Sequence, residues 1–488
     1  MQTVSPQDLV NAGRFHEATK LMGKQIATTP ASVDPGDIML FARALMATSR
    51  YDEAFNVLHL AMIDRTHKAR ALGLQSEIRW IQHRYDEAHN LALASLELDL
   101  FNGRVQTIRN RCQQVFNDEM RVSVPGVAEN RRLGHAAFYV APGGNFGDLA
   151  LPPTIRDTIA HWKPVSEWTA FHVHQQFDQA QVRALNDLDG LVIGGGGLFL
   201  PDTSPNGDSG WQWNVTLENL KRIDVPIYVI AVGYNLFQGQ GFQGDTFRRS
   251  LHGLVNQSSI VGLRNSGSIS QIKALLPKDL QEKVSYMPCP TTILSRLIPD
   301  ELEAIDVPAT QNRVFLNAAF DRSERRFGDT YGVFLDHMAS YVSNLQTDGV
   351  SVELAAHLPR DEKLGKDLYE HYGIEMPVHG FYDMSCEDGY NLYRKAGLVV
   401  GMRGHASMIP FGLGIPILSL VSHPKMQFFL DDIERPDWGI PVEREHLSDD
   451  LYRASVDILE NNQAYRDDLK GIQDWLYERC QSVVGQIS

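Results

Sequence analysis

The 488-residue sequence predicts an α/β protein with two Rossmann-like domains, each built on a parallel sheet, preceded by an all-α helical-repeat domain. Beyond about residue 136, short apolar runs alternate with amphipathic segments, which is typical of buried parallel strands with helices on both faces. Before that point, a motif recurs with a period of about 34 residues, which is typical of paired helices. The chain is also too long for one ordinary core, so several domains are expected.

Composition and charge narrow the class of function. A formal net charge of −15 disfavours binding to nucleic acid or to an anionic membrane, but it leaves a small anionic ligand open. The four cysteines, Cys112, Cys289, Cys386 and Cys480, form no CxxC pair, so neither a zinc site nor a disulfide framework is expected. The start lacks the pattern of a signal peptide, and no apolar run approaches the ~18–20 residues of a membrane span. We therefore expect a cytoplasmic protein without a transmembrane segment.

The N-terminal repeat consists of NAGRFHEA, ATSRYDEA and IQHRYDEA, with the arginines at Arg14, Arg50 and Arg84. The pattern predicts about three tetratricopeptide-like hairpins over residues 1–118, in which the aromatic residue fills the space between helices and the alanine allows their close approach. Such repeats often bind a protein partner on a concave surface. Stacking alone also explains the pattern, so a helical cap that only stabilises the next domain remains an alternative.

The remainder divides into a linker and two α/β domains. The sequence RVSVPGVAENRRLGH lacks clear periodicity and predicts a linker over residues 119–135. Predicted strands and helices alternate over residues 136–300, and the alternation resumes at RVFLNAAF to give a second domain over residues 301–488. The proline-containing acidic segment 297–312 is expected to be the hinge, and the charged helical tail is expected to pack across both domains.

Open α/β sheets bind ligands at the carboxyl ends of their strands, so the residues that follow each predicted strand are the candidate site. GGNFGDLA holds Asn145 and Asp148 in a tight turn before a helix, where free N–H groups suit a polar or anionic ligand. Asp148 is either a general base toward a hydroxyl or the N-cap of that helix. GLVIGGGGLFLPD is expected to end a strand in glycines, and Gly195 and Gly196 would let the backbone lie against a ligand. The pattern is not GxGxxG, which disfavours a nicotinamide enzyme.

Two arginines occupy equivalent strand ends in the two domains. Arg264 follows SIVGL and Arg403 follows LVVGM, and a planar guanidinium suits carboxylate and phosphate groups. His405, between Arg403 and Ser407, could donate a proton near neutral pH, and Lys425 in HPKMQFF adds a further cation. A surface ion pair, a structural histidine and a surface lysine are the alternatives. No ligand set such as HExxH is present, so no metal site is expected.

Six motifs together resemble the polysaccharide pyruvyl transferase family: GGNFGD, VIGGGGLF, AVGYN, GLRNSGS, MRGHASMIPFGLGIPIL and HPKMQFF, in this order between about residues 137 and 435. The resemblance implies a glycosyltransferase B-like fold and transfer of a pyruvyl group from phosphoenolpyruvate, a co-substrate, to a sugar, with no further cofactor. It implies that Arg264 and Arg403 bind the donor and that His405 is the catalytic histidine. The GGNFGD and GGGG loops are implied to face the acceptor.

The sequence departs from the family at one strand end. VSYMPCP ends in Cys289-Pro290, where the family commonly has Asp-Pro, so the substrate or the activity would differ if that aspartate takes part in the chemistry. The helical repeats are also additional to the catalytic region of typical members. Family labels of this kind also cover uncharacterised relatives, so the reaction type is a firmer inference than the substrate.

The candidate residues suggest a ketal-forming mechanism. We expect His405 to protonate the methylene carbon of phosphoenolpyruvate, a sugar hydroxyl to attack the oxocarbenium-like centre, phosphate to leave and a second hydroxyl to close the ring. Asp148 would deprotonate the acceptor, and Arg264, Arg403, Ser407 and Lys425 would bind the donor. One alternative is an inverting glycosyltransferase that uses a nucleotide sugar, and another is a non-catalytic repeat scaffold with a degenerate transferase part.

Overall fold

A computed structural model describes residues 4–28, 33–127, 130–140, 143–237, 239–298 and 312–488. The predicted hinge at 297–312 and the predicted domain boundary at residues 300 and 301 lie, apart from the ends of the hinge, outside the described residues. Within the described part of the chain, no helix has the length and apolar composition that crossing a membrane requires.

The N-terminal region is helical, as predicted. Its helices are α1 (Pro6–Asn11), α2 (Phe15–Thr28), α3 (Pro35–Ala47), α4 (Tyr51–Val57), α5 (Arg65–Ile81), α6 (Tyr85–Leu96) and α7 (Gly103–Phe116). The repeated motifs form equivalent turns, in which the residue before the arginine adopts a positive φ: 73° at Gly13, 60° at Ser49 and 59° at His83. The arginine that follows each turn then forms an ion pair with the glutamate three residues later, and the motif alanine is fully buried. The shared turn explains the sequence repeat, whereas the tetratricopeptide assignment stays a prediction.

The helical region packs directly on the first α/β domain. The Tyr51 hydroxyl accepts a hydrogen bond of 2.8 Å from Asn214, and the backbone N–H of Gly207 donates to Ser49 Oγ at 3.0 Å. The His83 ring lies 2.7 Å from the carbonyl of Gln176. Residues of the repeated turns therefore serve as the contact surface, as expected for a helical cap.

The first α/β domain contains a seven-stranded sheet in the order β1-β3-β2-β4-β5-β6-β7, parallel except for the antiparallel edge strand β1. The strands are β1 (Arg121–Ser123), β2 (Arg132–Ala137), β3 (Glu167–His172), β4 (Gly190–Phe199), β5 (Ile227–Tyr234), β6 (Ser258–Leu263) and β7 (Val284–Tyr286). The helices are α8 (Phe146–Trp162), α9 (Gln179–Asn186), α10 (Leu217–Lys221), α11 (Thr246–Gln257), α12 (Ser266–Leu275), α13 (Lys278–Gln281) and α14 (Leu294–Leu297).

Two predictions in this domain are wrong. Strand β1 and the start of β2 lie inside the predicted linker 119–135, and β1 gives no strand signal because all of its residues are exposed and carry no apolar pattern. The glycines of GGGG do not end β4, which continues to Phe199. Gly195 and Gly196 adopt φ values of 83° and 98° within the strand, a backbone conformation that only glycine adopts without strain.

The second α/β domain contains a six-stranded sheet in the order β10-β9-β8-β11-β12-β13, in which every pair is parallel. Its strands are β8 (Arg313–Asn317), β9 (Ser351–Ala356), β10 (Val378–Gly380), β11 (Leu398–Gly401), β12 (Ile417–Val421) and β13 (Gly439–Pro441). Its described helices are α15 (Ser323–Phe327), α16 (Tyr331–Thr347), α17 (Lys363–Tyr372), α18 (Cys386–Tyr393), α19 (Gly404–Gly412), α20 (Pro424–Asp432), α21 (Leu447–Glu460) and α22 (Asn462–Val484). The predicted fold class, two parallel-sheet domains after an all-α region, is confirmed.

The C-terminal helix α22 returns to the first α/β domain. Tyr477 lies within hydrogen-bonding distance of His161 at 2.7 Å, and Ser295 donates to Gln473 at 3.1 Å. One apolar cluster contains residues of both sheets and of α22, for example Tyr228, Val400 and Leu476. The prediction that the tail packs across both domains is confirmed, and this packing holds the two sheets facing each other.

Candidate functional site

A polar cavity of about 200 Å³ lies between the two sheets, at the carboxyl ends of their strands. It is lined by residues that follow β2, β5 and β6 in the first domain and β8, β11 and β12 in the second, together with the glycines inside β4. All but one of the predicted site residues line it: Asn145, Asp148, Gly195, Gly196, Arg264, Arg403, His405 and Lys425. The strand ends therefore mark the position of the cavity, while the chemical roles of these residues remain predictions.

Ser407 is the exception. Its side chain is 1% exposed, accepts a hydrogen bond of 3.0 Å from Ser419 and lies against the strand residue Gly401. An added Cβ at Gly401 would lie 2.7 Å from Ser407 Oγ, so the helix packs directly on the strand here. The prediction that Ser407 contacts the donor is wrong, because this hydroxyl joins α19 to the sheet.

Arg403 is held by two carboxylates. Its Nε and Nη2 donate to Asp361 at 2.6 Å each, and Nη1 lies 2.6 Å from Asp321 Oδ1. Asp321 also accepts from Arg326 at 3.1 Å, and the two arginines lower the pKa of this carboxyl although burial opposes them. Arg403 is therefore already neutralised and fixed in position, which the sequence alone did not indicate. Asp321 and Asp361 lie four and five residues beyond the ends of β8 and β9, so both could have been found from their places after a strand.

Arg264 differs from Arg403 because no carboxylate pairs with it among the described residues. It is 7% exposed, and its buried Nε has no hydrogen-bond partner. Burial lowers its pKa, and the nearby Cys289 and Asp148 oppose that shift. Gly233 in the AVGYN motif makes room for it, since an added Cβ there would lie 2.1 Å from Arg264 Nε. The guanidinium is thus a buried cation that faces the cavity without a counter-ion.

Lys425 is a second cation of this kind. Within the described ranges its ammonium has no hydrogen bond or ion pair, and it follows β12 at the start of α20. Burial, with the charges of Arg264 and Arg326, lowers the pKa of Lys425 to about 7. This lysine therefore changes its charge within the physiological pH range.

His405 lies where the second domain meets the first. An added Cβ on Gly147 would lie 2.5 Å from His405 Cβ, so the glycine of GGNFGD lets the two domains meet at this ring. Burial, followed by the charges of Arg264 and Lys425, lowers the pKa of His405 to about 3. The imidazole is thus neutral in the empty site at neutral pH. A bound anion would offset the two positive charges and raise this pKa.

Asn145 and Asp148, which follow β2, line the same cavity. Asn145 caps helix α8 by accepting from the N–H of Gly147 at 2.8 Å, so the alternative that Asp148 is the N-cap is wrong. Burial raises the pKa of Asp148, and the charges of Lys425, Arg403 and Arg264 oppose that shift. Asp148 is therefore a cavity carboxyl without a capping role.

Cys289 lies beside the histidine. Its Sγ is 3.7 Å from His405 Nε2 and 3.2 Å from Thr291 Oγ1. Burial raises the pKa of the Cys289 thiol, so it is neutral. A neutral thiol supplies no negative charge to stabilise an imidazolium, unlike the aspartate expected from the family resemblance. Among the described residues, no group of His, Cys, Asp and Glu side chains is arranged to hold a metal ion.

Comparisons with known proteins identify a family. The family model for polysaccharide pyruvyl transferases matches residues 84–424, which is more than half of the chain. No curated protein sequence matches the chain.

Solved structures that resemble the fold share little sequence with it. An O-GlcNAc transferase mutant from Thermobaculum terrenum has a TM-score of 0.39 and 14% identity, covering 99% of this chain and 87% of its own. Anabaena HepE in complex with UDP and glucose has a TM-score of 0.41 and 13% identity, covering 73% and 98%. The UDP-GlcNAc 2-epimerase of Methanocaldococcus jannaschii has a TM-score of 0.44 and 10% identity, covering 68% and 93%. These similarities are too distant to indicate an activity.

Proposed function

The chain belongs to the polysaccharide pyruvyl transferase family, and from this membership we propose that it transfers the pyruvyl group of phosphoenolpyruvate to a sugar of a glycan or glycan precursor as a cyclic ketal. The observation that carries the proposal is the pair of unpaired cations, Arg264 and Lys425, beside His405 in a cavity of about 200 Å³. Phosphoenolpyruvate offers a phosphate and a carboxylate to these cations. Sites that bury larger ligands usually enclose ~300–1,000 Å³, so the volume favours a three-carbon donor over a nucleotide sugar.

Donor binding relieves an unfavourable arrangement in the empty site. No carboxylate among the described residues pairs with either of these two buried cations, so they repel each other and have lost much of their hydration. The planar fork of Arg264 suits one anionic group of the donor, and Lys425 acts as a point charge on the other. Arg403, held by Asp361 and Asp321, stabilises the wall against which the donor lies.

The negative charge of the donor also favours the protonated form of His405. Bound phosphoenolpyruvate offsets the fields of Arg264 and Lys425, which raises the pKa of His405 and lets the ring carry a proton. His405 gives that proton to the methylene carbon, which becomes a methyl group, and C2 becomes oxocarbenium-like. A sugar hydroxyl oxygen attacks C2 while its proton passes to Asp148. The C–O bond to phosphate then breaks, and a second hydroxyl of the same sugar bonds to C2 while its proton passes to the departing phosphate.

Gly233→Ala is expected to raise the KM for phosphoenolpyruvate by about tenfold or more, because the new methyl group displaces Arg264 from its position. Steady-state kinetics with phosphate release as the readout checks this. Gly471→Ala is the matched control, since an added Cβ there meets no other atom within 4 Å. An unchanged KM in Gly233→Ala would show that the position of Arg264 does not govern donor binding.

Lys425 makes donor binding dependent on pH. The charged form binds the anionic donor, so KM should be lowest below the pKa of about 7 and should rise as the pH passes through it. Lys425→Arg keeps its charge throughout this range and should remove the rise. The donor's own ionisation affects both proteins alike, so the comparison isolates the lysine. Identical profiles for the two proteins would contradict the assignment.

Calorimetry distinguishes this proposal from the glycosyltransferase alternative. We expect phosphoenolpyruvate to bind the full chain and a panel of nucleotide sugars not to bind. Binding of a nucleotide sugar without binding of phosphoenolpyruvate would overturn the proposal. The non-catalytic scaffold predicts that neither ligand binds. Three further expectations stay predictions: a cytoplasmic location, a protein partner for the helical region, and the tetratricopeptide assignment of that region.

A further inference from the structure

A larger cavity opens beside the candidate site. It measures about 720 Å³ and lies between the helical region and the loops at the carboxyl end of the first sheet. One wall contains residues 10–17 and 46–48, and the opposite wall contains residues 201–207 and 239–241. Thr203 lines both this cavity and the donor cavity, so the two adjoin there.

A third cavity of about 400 Å³ continues from the second over the inner surface of the helices. The second and third cavities adjoin along four residues, Arg43, Leu74, Glu77 and Arg104. Together these two cavities are called the repeat groove. It leads from Thr203, at the donor cavity, onto the N-terminal helices.

The part of the repeat groove nearest the donor cavity has the chemistry of a saccharide site. Amide and hydroxyl side chains line it, and Phe15 adds an aromatic ring: the polar groups are those of Asn11, Thr48, Ser204, Gln243 and Thr246. Such groups match sugar hydroxyls, which both donate and accept hydrogen bonds. The volume lies in the ~300–1,000 Å³ range of sites that enclose whole small ligands. Two hydrogen bonds also join the walls, one between Ser49 and Gly207 and one between Tyr51 and Asn214.

The far part of the repeat groove is positively charged. Arg43, Arg70 and Arg104 line the third cavity with a single carboxylate, that of Glu77. Arg104 forms an ion pair with Glu77 at 2.6 Å, whereas Arg43 has no hydrogen bond or ion pair within the described residues. A local excess of positive charge in a chain with a net charge of −15 favours an anionic group at this place.

We propose that the repeat groove binds the part of the acceptor beyond the sugar that receives the pyruvyl group, an oligosaccharide whose anionic group, phosphate or carboxylate, lies against Arg43, Arg70 and Arg104. The inference rests on the proposed function, since it takes the donor cavity as the reaction centre. It gives the helical region a role in acceptor selection that packing alone does not require.

Binding assays on the full chain test the proposal with four probes: a tetrasaccharide that contains uronic acid, its carboxyl-reduced neutral form, inorganic pyrophosphate and a polyglutamate peptide. Arg43→Glu is the variant, and Arg65→Glu is the matched control, an exposed arginine of the same helical region outside the groove. We expect the acidic tetrasaccharide to bind better than the neutral one. Arg43→Glu should weaken it by about tenfold or more, with Arg65→Glu unchanged. Pyrophosphate binding that is lost in Arg43→Glu would indicate a phosphate-bearing acceptor, whereas Arg43-dependent binding of the acidic tetrasaccharide alone would indicate a uronate-bearing one.

Other outcomes overturn the proposal. Three results would each exclude a saccharide site with an anion pocket. The first is that Arg43→Glu and wild type bind the acidic tetrasaccharide with equal affinity, and the second is that no probe binds. The third is that a polyglutamate peptide binds as well as the acidic tetrasaccharide. Thermal unfolding of Arg43→Glu, compared with that of the uncharged variant Arg43→Gln, shows whether the charge reversal disturbs folding. Phosphoenolpyruvate affinity, measured in parallel, should not change in these variants. If wild type does not bind phosphoenolpyruvate, the proposed function is refuted, whereas the probe results still test the repeat groove.

Discussion

Replacing His405 by glutamine is expected to lower kcat for pyruvyl transfer by about 10²–10⁴-fold, the usual contribution of a positioned general acid. The amide fills a similar space beside Gly147 but cannot transfer a proton to the methylene carbon. Affinity for phosphoenolpyruvate should stay within a few-fold of wild type, because the proposal assigns the anion binding to Arg264 and Lys425. Phosphate release measures kcat, and calorimetry measures the affinity.

The matched control is His371→Gln, which changes an exposed histidine in the last turn of α17, far along the chain from the cavity residues. It should leave kcat unchanged. Near-normal kcat in His405→Gln with a proven acceptor would exclude His405 as the acid. A loss of donor affinity equal to the loss of kcat would instead make it a binding residue.

Replacing Arg264 by methionine is expected to weaken phosphoenolpyruvate binding by about 2 kcal/mol or more, which is roughly a 30-fold rise in KM. Arg264→Lys keeps the charge but loses the planar fork, so its KM should lie between those of wild type and Arg264→Met. Steady-state kinetics at a fixed pH below 7, where Lys425 is charged, gives the comparison.

Thermal unfolding separates this role from a structural one. Arg264 is a buried cation with no carboxylate partner among the described residues, so its removal should leave the melting temperature unchanged or higher. A structural arginine would behave in the opposite way. A fall in melting temperature together with the rise in KM would contradict the account of Arg264 as an unpaired donor-binding group.

Under the proposed mechanism, Cys289 changes how the acid His405 would work in this chain. Its neutral thiol lies 3.7 Å from His405, and no carboxylate contacts the ring within the described ranges. The charge that lets His405 hold a proton therefore has to come from the bound donor. Protonation and donor binding are then coupled, which restricts the acid form to the occupied site.

The fold was largely predictable because its strands are buried on both faces and appear as continuous apolar runs. Strand β5 is an example, since seven of its eight residues are buried. The exposed edge strand β1 carries no such pattern, so its sequence cannot be told from that of a linker. The positive φ values of Gly195 and Gly196 inside β4 were also not predicted, because they depend on the packing of α8 against these glycines.

The sequence predicted which residues of the candidate site follow a strand, but it did not predict which of their side chains form ion pairs. Strand ends placed Arg264, His405 and Lys425 in one cavity. The pairing of Arg403 with Asp361 joins residues far apart in sequence, so nothing in the local pattern separates the paired arginine from the unpaired one. Helical spacing gave no information on Ser407, whose hydroxyl faces the sheet.

Mass spectrometry of candidate acceptors incubated with the full chain and phosphoenolpyruvate tests the central claim most directly. We predict an acceptor that gains the mass of one pyruvic acid less one water, as ketal formation requires, with release of one phosphate per acceptor and product formation by His405→Gln slowed by about 10²–10⁴-fold. A glycosyl unit gained from a nucleotide sugar, or a ketal formed equally well by His405→Gln, would contradict the claim.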